Sequence, residues 1–197
     1  EIIHNGVKIP SVKRSMDVKK KRSYRILYAG RLTAQKNVGL LIQALKKLAD
    51  LRCWTLDIYG SGEMDSELHA MVDSYALNDR ILFRGYCDDI TQEMLSSDLL
   101  VFPSIYEGMP NVLVEAMAIG LPVLASDIDA SRELIKDTSC VEWFSPNNVD
   151  ELVAALDLFF RSPDSFSIKV KNGISLSREF KVEIMSSRYE GVYRSLL

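Results

Sequence analysis

Glu107 and Glu115, with seven residues between them, are the side chains of this sequence whose spacing most invites chemistry. The stretch that carries them, 101–122, opens as the end of an apolar strand, Leu99-Leu100-Val101-Phe102, stopped by Pro103. A short loop follows, then an apolar run punctuated as a helix. Pro110 suits its first position, Gly120 suits the residue just past its end, and Pro122 prevents continuation. Glu115 is the one charge in that run. Asn111 lies four residues earlier on the same face, while Val112, Ala116 and Ile119 turn elsewhere. Glu107 sits in the loop just ahead. Two carboxylates would therefore flank a helix N-terminus, whose N–H groups and dipole suit a phosphate. Taken singly, a helical Glu is an ordinary solvated helix former and Glu-Gly an ordinary turn. Their combination after a buried strand is what points to a site.

Around these residues the order Pro-Ser-x-x-Glu-Gly-x-Pro, then Glu-Ala-Met-Ala-x-Gly-x-Pro-Val, resembles the signature of the family-4 retaining glycosyltransferases nearly position for position. The resemblance implies the C-terminal, donor-binding domain of a two-domain GT-B architecture. It further implies transfer of a sugar from a nucleoside-diphosphate sugar, UDP rather than GDP, to a glycan or lipid-linked acceptor, with retention and without a metal cofactor. Arg31 and Lys36, beside Gly30, look like the family's diphosphate-binding pair, and with Glu107 they take the catalytic roles. Gly60 and Gly62 would lie beside the nucleotide, and the backbone near Tyr86 and Cys87 would meet the base. Glu115 would hold the ribose hydroxyls. Glu107, with Gly108, Met109 and Pro110, would meet the donor sugar, and Asn111 and Val112 would offer N–H groups to phosphate. The chain departs from the family at Asp129-Ala130, where small glycine-rich loops are usual.

Elements able to position these residues follow from the apolar pattern. Short apolar segments at 25–29, 54–59, 81–84, 99–102, 122–125 and 140–144 read as strands. Amphipathic stretches at 38–50, 65–76, 90–96, 110–119, 130–136 and 149–161 read as helices between them. Such alternation predicts right-handed βαβ units and a doubly wound, Rossmann-like parallel sheet of about six strands, covered on both faces. Sheets of this kind bind ligands at the carboxyl ends of their strands, where the strand order reverses. Gly30-Arg31, Gly60-Ser61-Gly62, Gly85-Tyr86-Cys87 and Glu107-Gly108 each follow a strand. Two cations ahead of a helix would complement a diphosphate, and the glycine pair permits close backbone approach. Asp65 stands where a dinucleotide fingerprint needs its third glycine, so a nicotinamide cofactor is disfavoured. The tail, 181–197, reads as a last helix with a stripe of Met185, Tyr189, Val192 and Leu196. In the resembling family that helix crosses back to the partner domain.

Composition bounds the rest. Of 197 residues 47% are apolar, ample for one core, and no run is long enough to span a bilayer. The chain opens at Glu1 with neither initiator Met nor signal peptide and reads as a piece of a longer protein. Residues 1–24 are expected to be the end of an N-terminal domain, signalled by Asn5-Gly6, and an interdomain connection; 25–180 form the donor domain. The net charge of −3 is unevenly spread: residues 1–25 carry eight Lys/Arg against Glu1 and Asp17, hence +6, leaving −9 for the remainder. So acidic a body argues against a nucleic-acid partner. The cluster Lys19-Lys20-Lys21-Arg22 reads as a solvated linker, with peripheral contact to anionic lipid as its second meaning. Cys53, Cys87 and Cys140 are widely spaced and odd in number, which suggests a reducing cytoplasm rather than a disulfide or zinc framework; the cytoplasmic face of the membrane is the second expectation for location. His4 and His69 lie in separate segments, so no Ser-His-Asp or Cys-His arrangement is suggested. Asp127-Ile128-Asp129 matches a metal-binding Asp-x-Asp of another transferase architecture, and a chance acidic triplet is the preferred reading. A non-catalytic nucleotide-sugar binding module and a nucleotide-sugar epimerase of the same fold stay open as alternatives.

Overall fold

The computed structural model describes residues 5–10, 12–14, 18–136 and 138–195. His4, Asp17 and Leu196 lie outside them. Six apolar segments form six parallel strands: β1 Tyr24–Ala29, β2 Trp54–Tyr59, β3 Ile81–Gly85, β4 Leu99–Phe102, β5 Val123–Ser126 and β6 Glu142–Phe144. Their order is β3-β2-β1-β4-β5-β6, so the winding reverses between β1 and β4. Ile26 and Leu27 of β1 face opposite sides of the sheet and are both fully buried. Burial of that extent contributes roughly 1.5–3 kcal/mol per large aliphatic side chain.

Helices cover the two faces. Those on one side, α1 Val38–Lys47, α2 Asp65–Ser74 and α6 Val149–Arg161, bury Leu41, Leu45, Leu68, Leu156 and Phe159 against Ile26, Leu56 and Ile58. Opposite them, α3 Thr91–Ser96 and α4 Asn111–Ile119 bury Met94, Leu113, Val114 and Met117 against Leu27, Leu100 and Phe102. A short α5, Asp129–Leu134, follows β5. Asn148 starts α6 by accepting from the N–H groups of Asp150 and Glu151.

The expected elements are all present, with shifted ends. Helix α1 stops at Lys47 rather than residue 50, and α2 stops at Ser74, because Ala76 sits at φ 52°, outside any helix. Pro110 is the N-cap of α4 instead of its first residue, with Asn111 opening the helix. Gly120 ends it in the left-handed conformation at φ 82°. One helix was not foreshadowed: α7, Ser167–Ser177. Its Lys169, Lys171, Asn172 and Ser175 break the apolar stripe. It nonetheless seats on α4, where a Cβ at Gly173 would touch the Met117 side chain. The last helix, α8 Val182–Ser195, is largely exposed, with Tyr189 and Tyr193 open to solvent.

Residues ahead of β1 are tied to the domain at a few points, with exposed residues between them. Val7 donates to Phe180 O and forms a parallel bridge with Lys181. Gly6 is no turn glycine: it lies so close to α8 that a Cβ would strike Val182 backbone. Arg14 turns inward, donating to the carbonyls of Met94, Leu95 and Ser97 at the end of α3 and facing Asp98. Lys21 joins the same Asp98 at 2.6 Å, so one member of the basic cluster is an anchor, while Lys19, Lys20 and Arg22 are exposed.

Candidate functional site

The loops at the carboxyl ends of the strands are laced to one another. Gly30 N–H donates to Tyr59 O and Gly60 N–H to Gly85 O, extending the sheet's bonding past the ends of β1 and β2. Leu32 N–H then donates to Ser61 O, and Met64 N–H to Leu32 O. This explains the glycine pair. Gly60 has φ 140° and a Cβ there would collide with Gly30 O; one at Gly62 would collide with Leu32 O. Their first service is therefore to let the β2 loop lie on the β1 loop, which fixes the backbone that carries Arg31.

Across the reversal, the β1 and β4 loops are joined at three points. Ile105 N–H donates to Gln35 O at 2.9 Å, and Gln35 Nε2 donates to Tyr106 O at 2.7 Å. Lys36 Nζ meets Glu107 Oε1 at 2.5 Å, the two side chains being only 16% and 9% exposed. Residues 71 apart in sequence are thus an ion pair at the mouth of the crevice. Gln35 is the residue sequence reasoning passed over. Its signal was position alone, between the two expected cations. Tyr28 lies beneath, donating to Arg31 O at 2.9 Å; burial, and then the nearby Glu107 carboxylate, push its phenol well above the usual range.

Helix α4 starts at this junction without a side-chain cap. Contrary to expectation the Asn111 N–H is taken, donating to Met109 O as Leu113 N–H does to Pro110 O, so of the two expected phosphate donors only Val112 keeps an N–H without an acceptor among the described residues. Asn111 is exposed, and Val112 and Glu115 are half-buried. Glu115 has no hydrogen-bond partner among the described residues, and burial, followed by repulsion from Asp89, raises its carboxyl above the ordinary value. That coupling sets Glu115 near the β3 loop, where Tyr86 is 76% exposed and Cys87 Sγ donates to Asp89 O. Gly108 is exposed, Met109 half-buried and Pro110 buried. The expected residues thus fall into two groups about the α4 N-terminus: Gly30, Arg31, Lys36 and Glu107 on one side, Tyr86, Cys87 and Glu115 on the other.

Asp127 of the acidic triplet is otherwise engaged. Both oxygens of Asp127 are held by Arg132, at 2.5 and 2.6 Å, which holds the carboxyl below its usual range, and the guanidinium rests on the Trp143 ring. Among the described residues no cluster of His, Cys, Asp or Glu could hold a metal ion, and no helix is long and apolar enough to cross a membrane.

The sequence and the fold have counterparts among known proteins. The profile of the family "Glycosyl transferases group 1" matches residues 12–175. An uncharacterised glycosyltransferase of Methanocaldococcus jannaschii is 35% identical over 67% of this chain and 34% of its own length. The UDP-Gal:alpha-D-GlcNAc-diphosphoundecaprenol alpha-1,3-galactosyltransferase of Escherichia coli is 29% identical over 79% of this chain and 43% of its own. The chain thus spans less than half the length of these relatives. Among solved structures, Anabaena HepE in complex with UDP-glucose superposes with a TM-score of 0.87 at 26% identity, covering 99% of this chain and 57% of that one. The Rossmann-like sheet is that of GT-B glycosyltransferases.

Proposed function

The chain belongs to the group 1 glycosyl transferases, and on that premise we propose that it is the C-terminal, donor-binding half of a family-4 retaining transferase that holds UDP-sugar between the β1 and β4 loops. The observation that carries this reading is the meeting of Lys36 with Glu107 across the point where strand order reverses. The UDP-glucose in HepE and the UDP-Gal named for the Escherichia coli relative support UDP over GDP. The latter's diphosphoundecaprenol acceptor supports a lipid-linked acceptor and peripheral contact with a membrane.

In this reading, cleavage of the bond between the anomeric carbon and the diphosphate oxygen is the hard step. Negative charge then grows on the leaving diphosphate. Arg31, Lys36 and the Val112 N–H at the start of α4 stand ready for it, and preorganised donors need no rearrangement as the charge develops. Lys36 exchanges part of its contact with Glu107 for phosphate oxygen, and Glu107, relieved of part of its partner, accepts from hydroxyls of the sugar. Glu115 accepts from the ribose hydroxyls, and Tyr86 and Cys87 border the base. Residues 1–24 and α8 serve as the connection to an acceptor-binding half, and the exposed Tyr189 and Tyr193 on α8 favour a partner there.

Calorimetric titration of UDP and of GDP in EDTA tests this. Saturable UDP binding that survives chelation, and is stronger than GDP binding, is expected. No binding of either nucleotide would overturn the donor reading, and loss on chelation would overturn the metal-free one.

A further inference from the structure

A groove of about 740 Å³ runs between the segment ahead of β1 and the start of α8, lined by Lys8, Ile9, Pro10, Lys13, Arg178 and Lys181, with Ser177, Val182 and Glu183 completing it. Among the described residues none of its four cations forms an ion pair, and Lys181 lies on backbone bridged to Val7. Acids are close as well: Glu183 in the wall, Glu133 and Glu179 with Lys181 in the adjoining pocket, and Asp89, whose carboxyl is lowered by its bonds from Thr91 and then by the Lys8 charge. Between the cations the surface is apolar. Val182 is 37% exposed, and Val12 beside Lys13 is 57% exposed. Only the Lys8 end of the groove approaches the donor crevice, on its Asp89 side. From Asn5, which touches Met109 at the crevice edge, the chain leads through Lys8 and Lys13 to Arg14 at the opposite end of the sheet.

We propose that this groove is a docking surface for an anionic phospholipid bilayer, with Lys8, Lys13, Arg178 and Lys181 on the headgroups and Ile9, Val12 and Val182 at the level of the first acyl carbons. Charge complementarity favours it. Lys8, Lys13, Arg178 and Lys181 face only Glu183 within the groove, while residues 26–197 sum to −9 even with Arg178 and Lys181 counted, so an anionic plane attracts this flank and repels the body, which orients the molecule as well as binding it. An apolar floor among cations suits an interface with hydrocarbon below it better than a dissolved phosphate. The surface differs from the cluster Lys19-Lys20-Lys21-Arg22 of the linear sequence, because Arg178 and Lys181 join Lys8 and Lys13 only through folding. The proposal extends the membrane contact of the preceding reading, yet needs no donor.

The test is co-sedimentation of the chain with vesicles of phosphatidylcholine, with and without phosphatidylglycerol, at low and high salt. Binding is expected only with phosphatidylglycerol, and it should weaken with salt. Each removed charge should cost about fivefold in partitioning, so Lys13→Ala/Arg178→Ala should lose about 25-fold. A double variant on the opposite face, Lys46→Ala/Lys47→Ala, removes the same net charge and should keep most of the binding. Thermal unfolding and UDP titration report whether each variant is folded, so failure here leaves the donor reading untouched. Equal binding to both vesicle types, or equal losses in the two double variants, would overturn the proposal. So would groove-dependent binding of duplex DNA or inorganic phosphate with no binding to vesicles.

Discussion

Replacing Glu107 with Gln should tighten UDP binding, opposite in sign to the effect of replacing its partner. In the free protein Lys36 Nζ is 2.5 Å from Glu107 Oε1, in a setting neither open nor sealed, with side-chain exposures of 16% and 9%. Exposed pairs are worth up to about 1 kcal/mol and breaking buried ones costs several. This pair therefore sets roughly 1–2 kcal/mol against any phosphate that competes for the lysine. Glu107→Gln keeps the shape and removes the competing charge, so UDP should bind roughly 5- to 30-fold more tightly. Lys36→Met removes a charge-assisted phosphate contact worth about 1.5–3 kcal/mol, and UDP should bind roughly 10- to 150-fold more weakly. It also strands a nearly buried carboxylate, so stability should fall by about 2–3 kcal/mol, most of it recovered in Lys36→Met/Glu107→Gln. Calorimetry with UDP in EDTA, beside urea unfolding of the same four proteins, reads all of these. If Glu107→Gln weakens UDP as Lys36→Met does, the carboxylate serves to hold the lysine in place and the competition argument fails.

Glu115→Ala should cost UDP roughly tenfold in affinity, as for a hydrogen bond to a charged group, but 2′-deoxy-UDP much less; equal losses by calorimetry would make Glu115 structural. Because the folded protein raises the Glu115 carboxyl above its ordinary 4.5, the protonated form is favoured in the fold, and the contribution to stability is present at acid pH and lost as pH rises through the raised value. Glu115→Gln should then melt higher than the parent at neutral pH, with the gap closing below about pH 4; a constant gap across the range in scanning calorimetry would contradict this. Gly60→Ala should cost roughly 2–4 kcal/mol in urea unfolding, since it adds strain at φ 140° and a collision with Gly30 O. Unchanged stability there would mean the two loops can part freely.

Much of this arrangement is legible in the linear sequence because the sheet is buried on both faces. A segment such as Leu99-Leu100-Val101-Phe102 must be apolar at every position, and the break after it marks a loop at the carboxyl edge. Glu115 was legible as a lone charge on an apolar helix. Gln35 was not, since nothing local distinguishes a glutamine whose value lies in a loop about 70 residues away. Helix α7 was missed for a related reason: it is held by Gly173 seated on Met117, a tertiary fit that leaves little periodicity in its own residues. The roles of Gly60 and Gly62 were readable as close approach, but what approaches, the backbone at Gly30 and Leu32, comes from pairing distant loops.

The inward turn of Arg14 bears on how such chains can be recombined. Its guanidinium satisfies three carbonyls at the end of α3 and faces Asp98, which also holds Lys21 and the N–H of Arg25. A gene fusion that replaced residues 1–24 would strip those carbonyls of their donor and leave Asp98 with fewer cations beside it. The swapped part would carry away a piece of the recipient's own interior. A junction placed ahead of Val7 keeps the strap with the sheet it closes, and chimeras cut there should express as folded protein where those cut at residue 24 do not.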